Sequence, residues 1–147
     1  MEENILIDIN ESGILSLSEK DSKITLCIIK KCTEYGLGVN PGGYSYGDSK
    51  LSIENADFIS NGTHILIGRE CDVSTSHSNF LNDQTMLIEV LNYSKNDTLS
   101  FKNNFWSYTD AALIEDRILH HPDYPALPNY GVPYIDYSGF SYNYLPW

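Results

Sequence analysis

The sequence has few positive charges, few cysteines and no long apolar run. Nine Lys and Arg residues stand against 20 Asp and Glu residues, which gives a formal net charge of −11. Nucleic acids and anionic membranes are bound through clusters of Lys and Arg, so the composition predicts neither as a partner. No apolar run reaches the roughly 18 residues of a membrane-spanning helix. The acidic, alternating N-terminus also differs from the basic and apolar start of a secretory signal.

The three cysteines are an odd number and contain no CxxC pair. A disulfide framework is therefore not predicted, and a reducing cytoplasm is the expected location. Cys27 and Cys32 lie in or beside an apolar segment and are interpreted as small buried hydrophobic residues. Cys71 and His77 share a Ser/Thr-rich loop, but a nucleophilic pair usually comes from separate elements of the fold. No catalytic cysteine is expected.

The remaining composition is that of one globular domain covering residues 1–147. The chain has a mass of 16.6 kDa and an apolar fraction of 41%, enough for a single core of ordinary size. The expected fold class is mainly β (α+β). We predict an antiparallel sheet or sandwich with one C-terminal α-helix and an extended Tyr/Pro-rich tail.

The first third of the chain resembles an antiparallel meander. Residues 5–9, 14–17 and 24–29 are β-branched and apolar, with polar turns between them. We expect Ile24, Leu26 and Ile28 to be among the most buried residues. Residues 36–50 contain five of the ten glycines without a helix start behind them, so they predict a surface loop rather than a phosphate cradle.

Two further strand pairs are predicted in the middle of the chain. The dipeptide Asn61-Gly62 lies between two apolar segments, a strong hairpin signal. Residues 86–91 form another apolar segment, and residues 99–106 are expected to pair with it.

One helix is predicted over residues 109–121. Ser107 and Asp110 have the spacing of a capping box with Asp in place of Glu, and Ala111, Ile114 and Ile118 share one face. Pro122 ends the helical pattern.

The tail, residues 122–147, contains six of the eleven tyrosines and five of the six prolines. No Lys or Arg follows Arg117. A segment this rich in aromatics is expected to fold back and pack on the body of the domain. Two interpretations stay open: the tail covers a sheet edge or face, or it forms a tyrosine-rich contact surface, because Tyr is enriched at interfaces.

Residues 44–80 resemble the hexapeptide-repeat acyltransferases. Ile53, Ile59 and Ile65 recur at an interval of six, and Tyr44-Ser-Tyr-Gly-Asp48 lies just upstream. The resemblance implies a left-handed β-helix, binding of coenzyme A, and His77 near the place of the catalytic histidine. The Asn61-Gly62 hairpin explains the same residues without a repeat.

No cofactor, metal site or catalytic residue is predicted. His120-His121-Pro122-Asp123 offers metal ligands, but adjacent histidines point in different directions, and a zinc site needs ligands from elsewhere. Carboxylates and tyrosines instead coincide near the helix and tail, with Arg117 as the nearby cation. The candidate partner-binding residues are Asp110, Glu115, Asp116, Asp123, Tyr124, Tyr130, Tyr134, Asp136 and Tyr137.

The composition favours binding over catalysis. An acidic, tyrosine-rich protein suits a stoichiometric inhibitor of a basic protein, such as an immunity protein or antitoxin that blocks a nuclease domain. Carboxylates would replace phosphates and steer the encounter, while aromatic residues would supply tight packing. The alternatives are an acyltransferase using His77 and a β module that binds a glycan or another small ligand.

Overall fold

The computed structural model of the protein describes residues 4–7, 13–16, 21–40, 49–68, 71–81, 86–91, 98–124 and 132–146. The described chain is mostly β, as predicted. Its strands are Asn4–Ile7 (β1), Ile14–Ser16 (β2), Ser22–Lys30 (β3), Tyr35–Val39 (β4), Ser49–Ile59 (β5), Thr63–Ile67 (β6), Cys71–Ser76 (β7), Asn79–Leu81 (β8), Met86–Val90 (β9), Thr98–Ser100 (β10), Ile118–Leu119 (β11) and Tyr134–Asp136 (β12). The helix α1 spans Ala111–Glu115, and a 3-10 turn spans His121–Asp123.

Every strand pair in the described residues is parallel, and none joins two consecutive strands. The two larger sheets have the orders β1-β3-β5-β7, with β8 also on β5, and β2-β4-β6-β9-β11, and β10 pairs with β12 in a third sheet of two strands. The predicted antiparallel sheet or sandwich is therefore wrong. Apolar alternation has the same period of two in both kinds of sheet, so it does not reveal which strands pair.

The chain winds as a parallel β-solenoid of stacked coils. Each of the first four coils adds strands to both of the larger sheets. The coil of β3 and β4 stacks on the coil of β5 and β6, and that coil stacks on the one containing β7, β8 and β9. The last two coils are less regular and contain β10, α1, β11 and β12. Each coil buries its apolar side chains against its neighbours, which is how a solenoid forms one continuous core.

One corner of the solenoid is marked by a stack of left-handed residues. Leu26, Asn55, His77, Asn103 and Gly139 have φ between 52° and 68° and follow one another at matching register on successive coils. The bend turns the chain from one side of the solenoid to the next. Asn and Gly tolerate this conformation well, whereas a Leu side chain adopts it at a cost of roughly 1–2 kcal/mol.

The corner at Leu26 reverses which side chains of β3 point inward. Cys27 and Ile29 are buried, whereas Ile24, Leu26 and Ile28 are only half-buried. The burial predicted for those three residues is thus wrong, because an uninterrupted strand was assumed.

Asn61-Gly62 forms a second corner, and the predicted hairpin is also wrong. The segments on either side, β5 and β6, belong to different sheets. The buried Asn61 side chain reaches back to the preceding coil, where its Oδ1 accepts the Cys32 N–H at 3.0 Å and its Nδ2 donates to the Ile29 carbonyl at 3.1 Å. Asn61 therefore connects two coils.

Three other predictions for segments require correction. The sequential pairing expected among residues 5–9, 14–17 and 24–29 does not occur, because β1 pairs with β3 while β2 pairs with β4. Residues 86–91 contain the predicted strand, but its partners are β6 and β11 rather than residues 99–106. Within the expected loop, residues 35–39 form β4, and residues 41–48 lie outside the described residues.

The predicted helix is much shorter than expected. α1 has five residues, and Asp110 rather than Ser107 caps it by accepting the Ala112 N–H at 2.9 Å. The apolar residues Ile114 and Ile118 are both buried, but Ile118 belongs to β11 and pairs with β9. Tertiary pairing therefore replaces the last turns of the predicted helix.

The core contains an aromatic stack along the solenoid axis. Phe58, Phe80 and Trp106 come from three successive coils and are fully buried. Their ring centroids lie 5.1 and 4.3 Å apart, with nearly parallel planes. Stacked aromatic pairs contribute about 0.5–1.5 kcal/mol beyond the burial of their surface, so this stack holds the middle coils in register.

The hexapeptide interpretation does not describe these coils. Six-residue repeats would place pairing partners at a multiple of six, but Ile53 pairs with Ile24 and Thr75, at separations of 29 and 22 residues. The resemblance anticipated a chain that turns through successive parallel strands, but not the length of the coils.

Candidate binding surface

Most of the predicted partner-binding residues lie on the last two coils, in α1 and the segment after it. Asp110 and Asp116 flank α1 and are exposed. Asp110 uses one carboxylate oxygen as the helix cap. Asp116 contributes its backbone N–H to the end of the helix, so its side chain is directed to solvent-accessible space.

Glu115 is engaged within the protein. Its Oε1 lies 2.8 Å from Nε2 of the buried His120, whose Nδ1 accepts the Ile135 N–H at 2.9 Å. The proton of the ring is therefore on Nε2 and is donated to Glu115. Tyr137 also donates to Glu115. Partial burial raises the pKa of Glu115, but the hydrogen bonds from His120 and Tyr137 outweigh it, and the net pKa is lowered.

This arrangement is structural rather than catalytic. Both nitrogens of His120 are occupied, so the ring has no free position from which to accept a substrate proton. Burial, and then the hydrogen bond to Glu115, raise the pKa of Tyr137 to about 12. The group connects α1 to the segment around β12.

Asp123 and Asp136 also have partners within the chain. Asp123 accepts the His120 N–H at 3.0 Å, which closes the 3-10 turn. Asp136 pairs with Lys102 at 2.9 Å, and hydrogen bonds from Lys102 and Ser138 lower its pKa to about 2. These two acids hold the fold, and they have less freedom to meet a partner than the sequence implied.

The predicted tyrosines differ in exposure. Tyr134 is exposed, with its ring centroid 4.3 Å from that of His121. Tyr137 is half-buried, edge-on to Trp106, and Tyr124 is half-buried with a pKa raised by burial and by the nearby Glu89 and Asp123. Tyr130 lies outside the described residues.

The exposed large hydrophobic side chains of the described residues all come from α1 and the tail. They are Leu113, Tyr134, Tyr142 and Tyr144, with exposed fractions between 43% and 66%. Every other large apolar side chain whose burial is described is buried or half-buried. Exposed apolar area is therefore concentrated in the C-terminal part of the chain.

The end of the tail crosses back over earlier coils. Asn79 binds the backbone of Leu145 in both directions, with its Oδ1 accepting the N–H at 2.8 Å and its Nδ2 donating to the carbonyl at 2.9 Å. The Tyr144 hydroxyl donates to Asp57 at 2.6 Å, and Asn79 also donates to Asp57. Ala56 and Phe58 point inward, so Asp57 between them should point outward, yet it is only 4% exposed.

Sequence reasoning missed this contact. Asp57 and Asn79 each lie in an ordinary-looking polar and apolar alternation, and their partners are 66 to 87 residues away. The only available signal was an Asp and an Asn at matching places in two apolar strands. The described tail therefore covers part of the solenoid while exposing some of its tyrosines.

The remaining reactive groups form no catalytic arrangement among the described residues. The three cysteines are free, and Cys27 and Cys32 are buried as predicted. Cys71, expected in a loop, is also buried and lies in β7. Burial raises the pKa of Cys27 to about 11. His64 is buried beside Phe58 and Phe80, and burial lowers its pKa to about 3. His77 is exposed at the left-handed corner; the prediction that it transfers acyl groups is not tested by this geometry.

Among the described residues, no group of three or more His, Cys, Asp or Glu side chains is placed to hold a metal ion. Within the same residues, no helix has the length and apolar character needed to cross a membrane.

Comparison with known proteins does not assign the chain to a family. No protein-family model matches it, and neither a curated protein nor a solved structure matches significantly. The chemistry of its own surface therefore carries the functional argument.

Proposed function

We propose that this chain is a stoichiometric binding protein that contacts a basic protein partner, in the manner of an immunity protein or antitoxin that inhibits a toxin domain. The contact surface consists of α1 and the exposed part of the segment after it. Its members are Asp110, Leu113, Asp116, Tyr134 and Tyr142, named here the C-terminal surface.

One observation carries this proposal. The four large hydrophobic side chains exposed among the residues whose burial is described all lie in α1 and the tail, and Leu113 lies between the exposed Asp110 and Asp116 in the sequence. Exposed aromatic residues inside a charged rim are typical of protein interfaces, where Tyr supplies contact area at a small entropic cost. A chain that served only as a scaffold would gain nothing from exposing them.

The charge of the same region supports a basic partner. After Asp110, the sequence contains one Lys or Arg residue, Arg117. The Arg117 guanidinium lies 4.5 Å from the centroid of the Tyr108 ring and donates a hydrogen bond to the Leu113 carbonyl. No Lys or Arg follows Arg117 in the sequence, so the tail brings no further Lys or Arg to Asp116. With a net charge of −11, the protein would attract a basic partner over long range and accelerate the encounter.

The engaged residues take a supporting role in this proposal. Glu115, Asp136 and Tyr137 would keep α1 and β12 in place rather than meet the partner. Replacing them should lower stability first, whereas replacing Leu113, Asp116 or Tyr134 should weaken binding and leave stability nearly unchanged. This contrast separates the two kinds of residue.

Binding to a panel of purified basic nuclease domains and one acidic control protein tests the proposal. We expect saturable 1:1 binding to one basic domain, with an association rate that falls as salt is raised. The double variant Leu113→Ser/Asp116→Asn should lose about tenfold or more in affinity, since a hot spot contributes about 2 kcal/mol. Thr25→Lys, an exposed position on β3, is the matched control for the change of charge.

Two results would contradict the proposal. The first is equal binding to every basic domain, which would mean unspecific charge attraction. The second is an equal loss of affinity in the Thr25→Lys control, which would mean that net charge rather than the C-terminal surface determines binding.

A further inference from the structure

A small cavity opens on the outer side of the solenoid, far along the chain from the C-terminal surface. It has a volume of about 210 Å³ and lies where β3, β5 and β7 begin. Its lining comes from three consecutive coils: Asp21, Ser22, Lys50, Leu51, Ser52, Asp72 and Ser74. Parallel strands lie about 4.7–4.9 Å apart, so each coil presents its side chains one step further along the axis.

Charged side chains of alternating sign line this cavity. Lys50 is the register partner of Asp72, and Asp21 precedes Ser22, which pairs with the residue after Lys50. The three charges therefore follow the axis in the order negative, positive, negative. All three residues are exposed.

Lys50 forms no ion pair with Asp21 or Asp72 among the described residues. Such a pair does form one row away, where Lys23 and Glu54 approach to 2.9 Å. The outer surface of the same strands can thus pair charges directly, and in the cavity it does not. Opposite charges that do not pair with each other can each form a charge-assisted hydrogen bond to a molecule placed between them.

Hydroxyl groups complete the lining. Ser52 and Ser74 are register partners, half-buried, and lie two residues beyond Lys50 and Asp72 on the same face of the strands. The buried Leu51 is the apolar member of the lining. The cavity is smaller than the roughly 300–1,000 Å³ typical of sites for drug-sized ligands, so its ligand is small.

We propose that this cavity binds a small zwitterion, of the size and chemistry of a free α-amino acid. The ligand carboxylate would pair with the Lys50 ammonium, and the ligand ammonium with Asp72 or Asp21. The hydroxyls of Ser52 and Ser74 would hydrogen-bond to the ligand. This site is independent of the proposed protein contact, because the two lie on different coils.

The chemistry disfavours the simpler ligand classes. An anion on Lys50 would lie beside two carboxylates, and a cation between those carboxylates would meet Lys50. A neutral polyol would form hydrogen bonds but no ion pair with these three residues. A molecule that carries both charges can pair with Lys50 and with one of the two acids. Because the site is exposed, we expect a Kd near the millimolar range.

An NMR titration of the full chain tests this proposal. Glycine and L-serine should cause saturable shifts of the Ser52 and Ser74 amide signals, whereas acetate, methylammonium and sorbitol should not. Lys50→Met and Asp72→Asn should each weaken binding about tenfold or more. Lys23→Met is the matched control, because Lys23 lies on a neighbouring strand in an ion pair outside the cavity lining.

Three outcomes would overturn it. Saturable shifts with acetate alone or with sorbitol would assign the cavity to anions or polyols. Equal effects of Lys23→Met and Lys50→Met would show that overall charge is responsible. No saturable shift with glycine or serine at roughly one hundred times a millimolar Kd would exclude the site. None of these results bears on the C-terminal surface.

Discussion

Replacing Asn61 tests the central feature of this fold, the connection between coils. The Asn61 side chain forms two hydrogen bonds to the preceding coil, to the Cys32 N–H and the Ile29 carbonyl, and its Nδ2 lies 3.2 Å from Nδ1 of the buried His64. All of these groups are buried, and the two backbone bonds span about 30 residues of chain.

The expected loss of stability follows from those contacts. Asn61→Ala leaves the Cys32 N–H and the Ile29 carbonyl buried without this partner, and each unsatisfied group costs about 1–3 kcal/mol. The free energy of unfolding should therefore fall by about 2–6 kcal/mol. A domain of this size has roughly 5–15 kcal/mol in total, so the loss is large but leaves a folded population to measure.

Urea unfolding followed by fluorescence of the buried Trp106 provides the measurement. Asn143→Ala is the matched control, because Asn143 is exposed and its recorded hydrogen bonds use only its backbone. That control should change stability by less than about 0.5 kcal/mol. A loss below about 1 kcal/mol for Asn61→Ala would refute the reasoning, since it would mean that Asn61 occupies an exposed turn and does not connect two coils.

Three further predictions concern buried groups. The pKa of His64 is lowered to about 3 in the folded state against about 6.5 when unfolded, so between these pH values the unfolded state binds one more proton. The free energy of unfolding should therefore fall by up to about 1.4 kcal/mol per pH unit below 6.5. His64→Gln should flatten this slope, measured by urea unfolding at pH 7 and pH 5. Asn79→Ala should accelerate hydrogen exchange at the Leu145 amide by about tenfold or more, and an unchanged rate would contradict the contact between tail and solenoid. The three cysteines should react slowly with a thiol reagent in the folded protein and completely after denaturation, because all three are buried and the pKa of Cys27 is about 11. A disulfide detected by mass spectrometry would contradict this prediction.

The candidate site was only partly accessible from the sequence. The excess of carboxylates and tyrosines near the C-terminus is visible in the composition, and the exposure of Tyr134 agrees with a contact role. The sequence does not reveal which of these carboxylates already have partners within the chain. Glu115 and Asp136 are held by His120 and Lys102, and these partners are set by the stacking of the last two coils.

Local chemistry alone determined that this chain is mostly β. The β-branched and apolar segments around Ile29, Ile65 and Ile88 are strands in the structure, because their side chains suit a pleated surface whatever the partner is. The start of the helix also follows from the sequence to within two residues, although Asp110 rather than the predicted Ser107 caps it.

Tertiary structure alone decided how the strands pair and where the chain bends. A period of two is common to parallel and antiparallel strands, so Ile53 carries no sign that it lies between Ile24 and Thr75 instead of forming a hairpin with a neighbour. The corner at Leu26 has no glycine to announce it, and its left-handed backbone is held by stacking on Asn55. Contacts between residues 22 to 36 positions apart determine the solenoid, and a pattern read within a short window of sequence does not contain them.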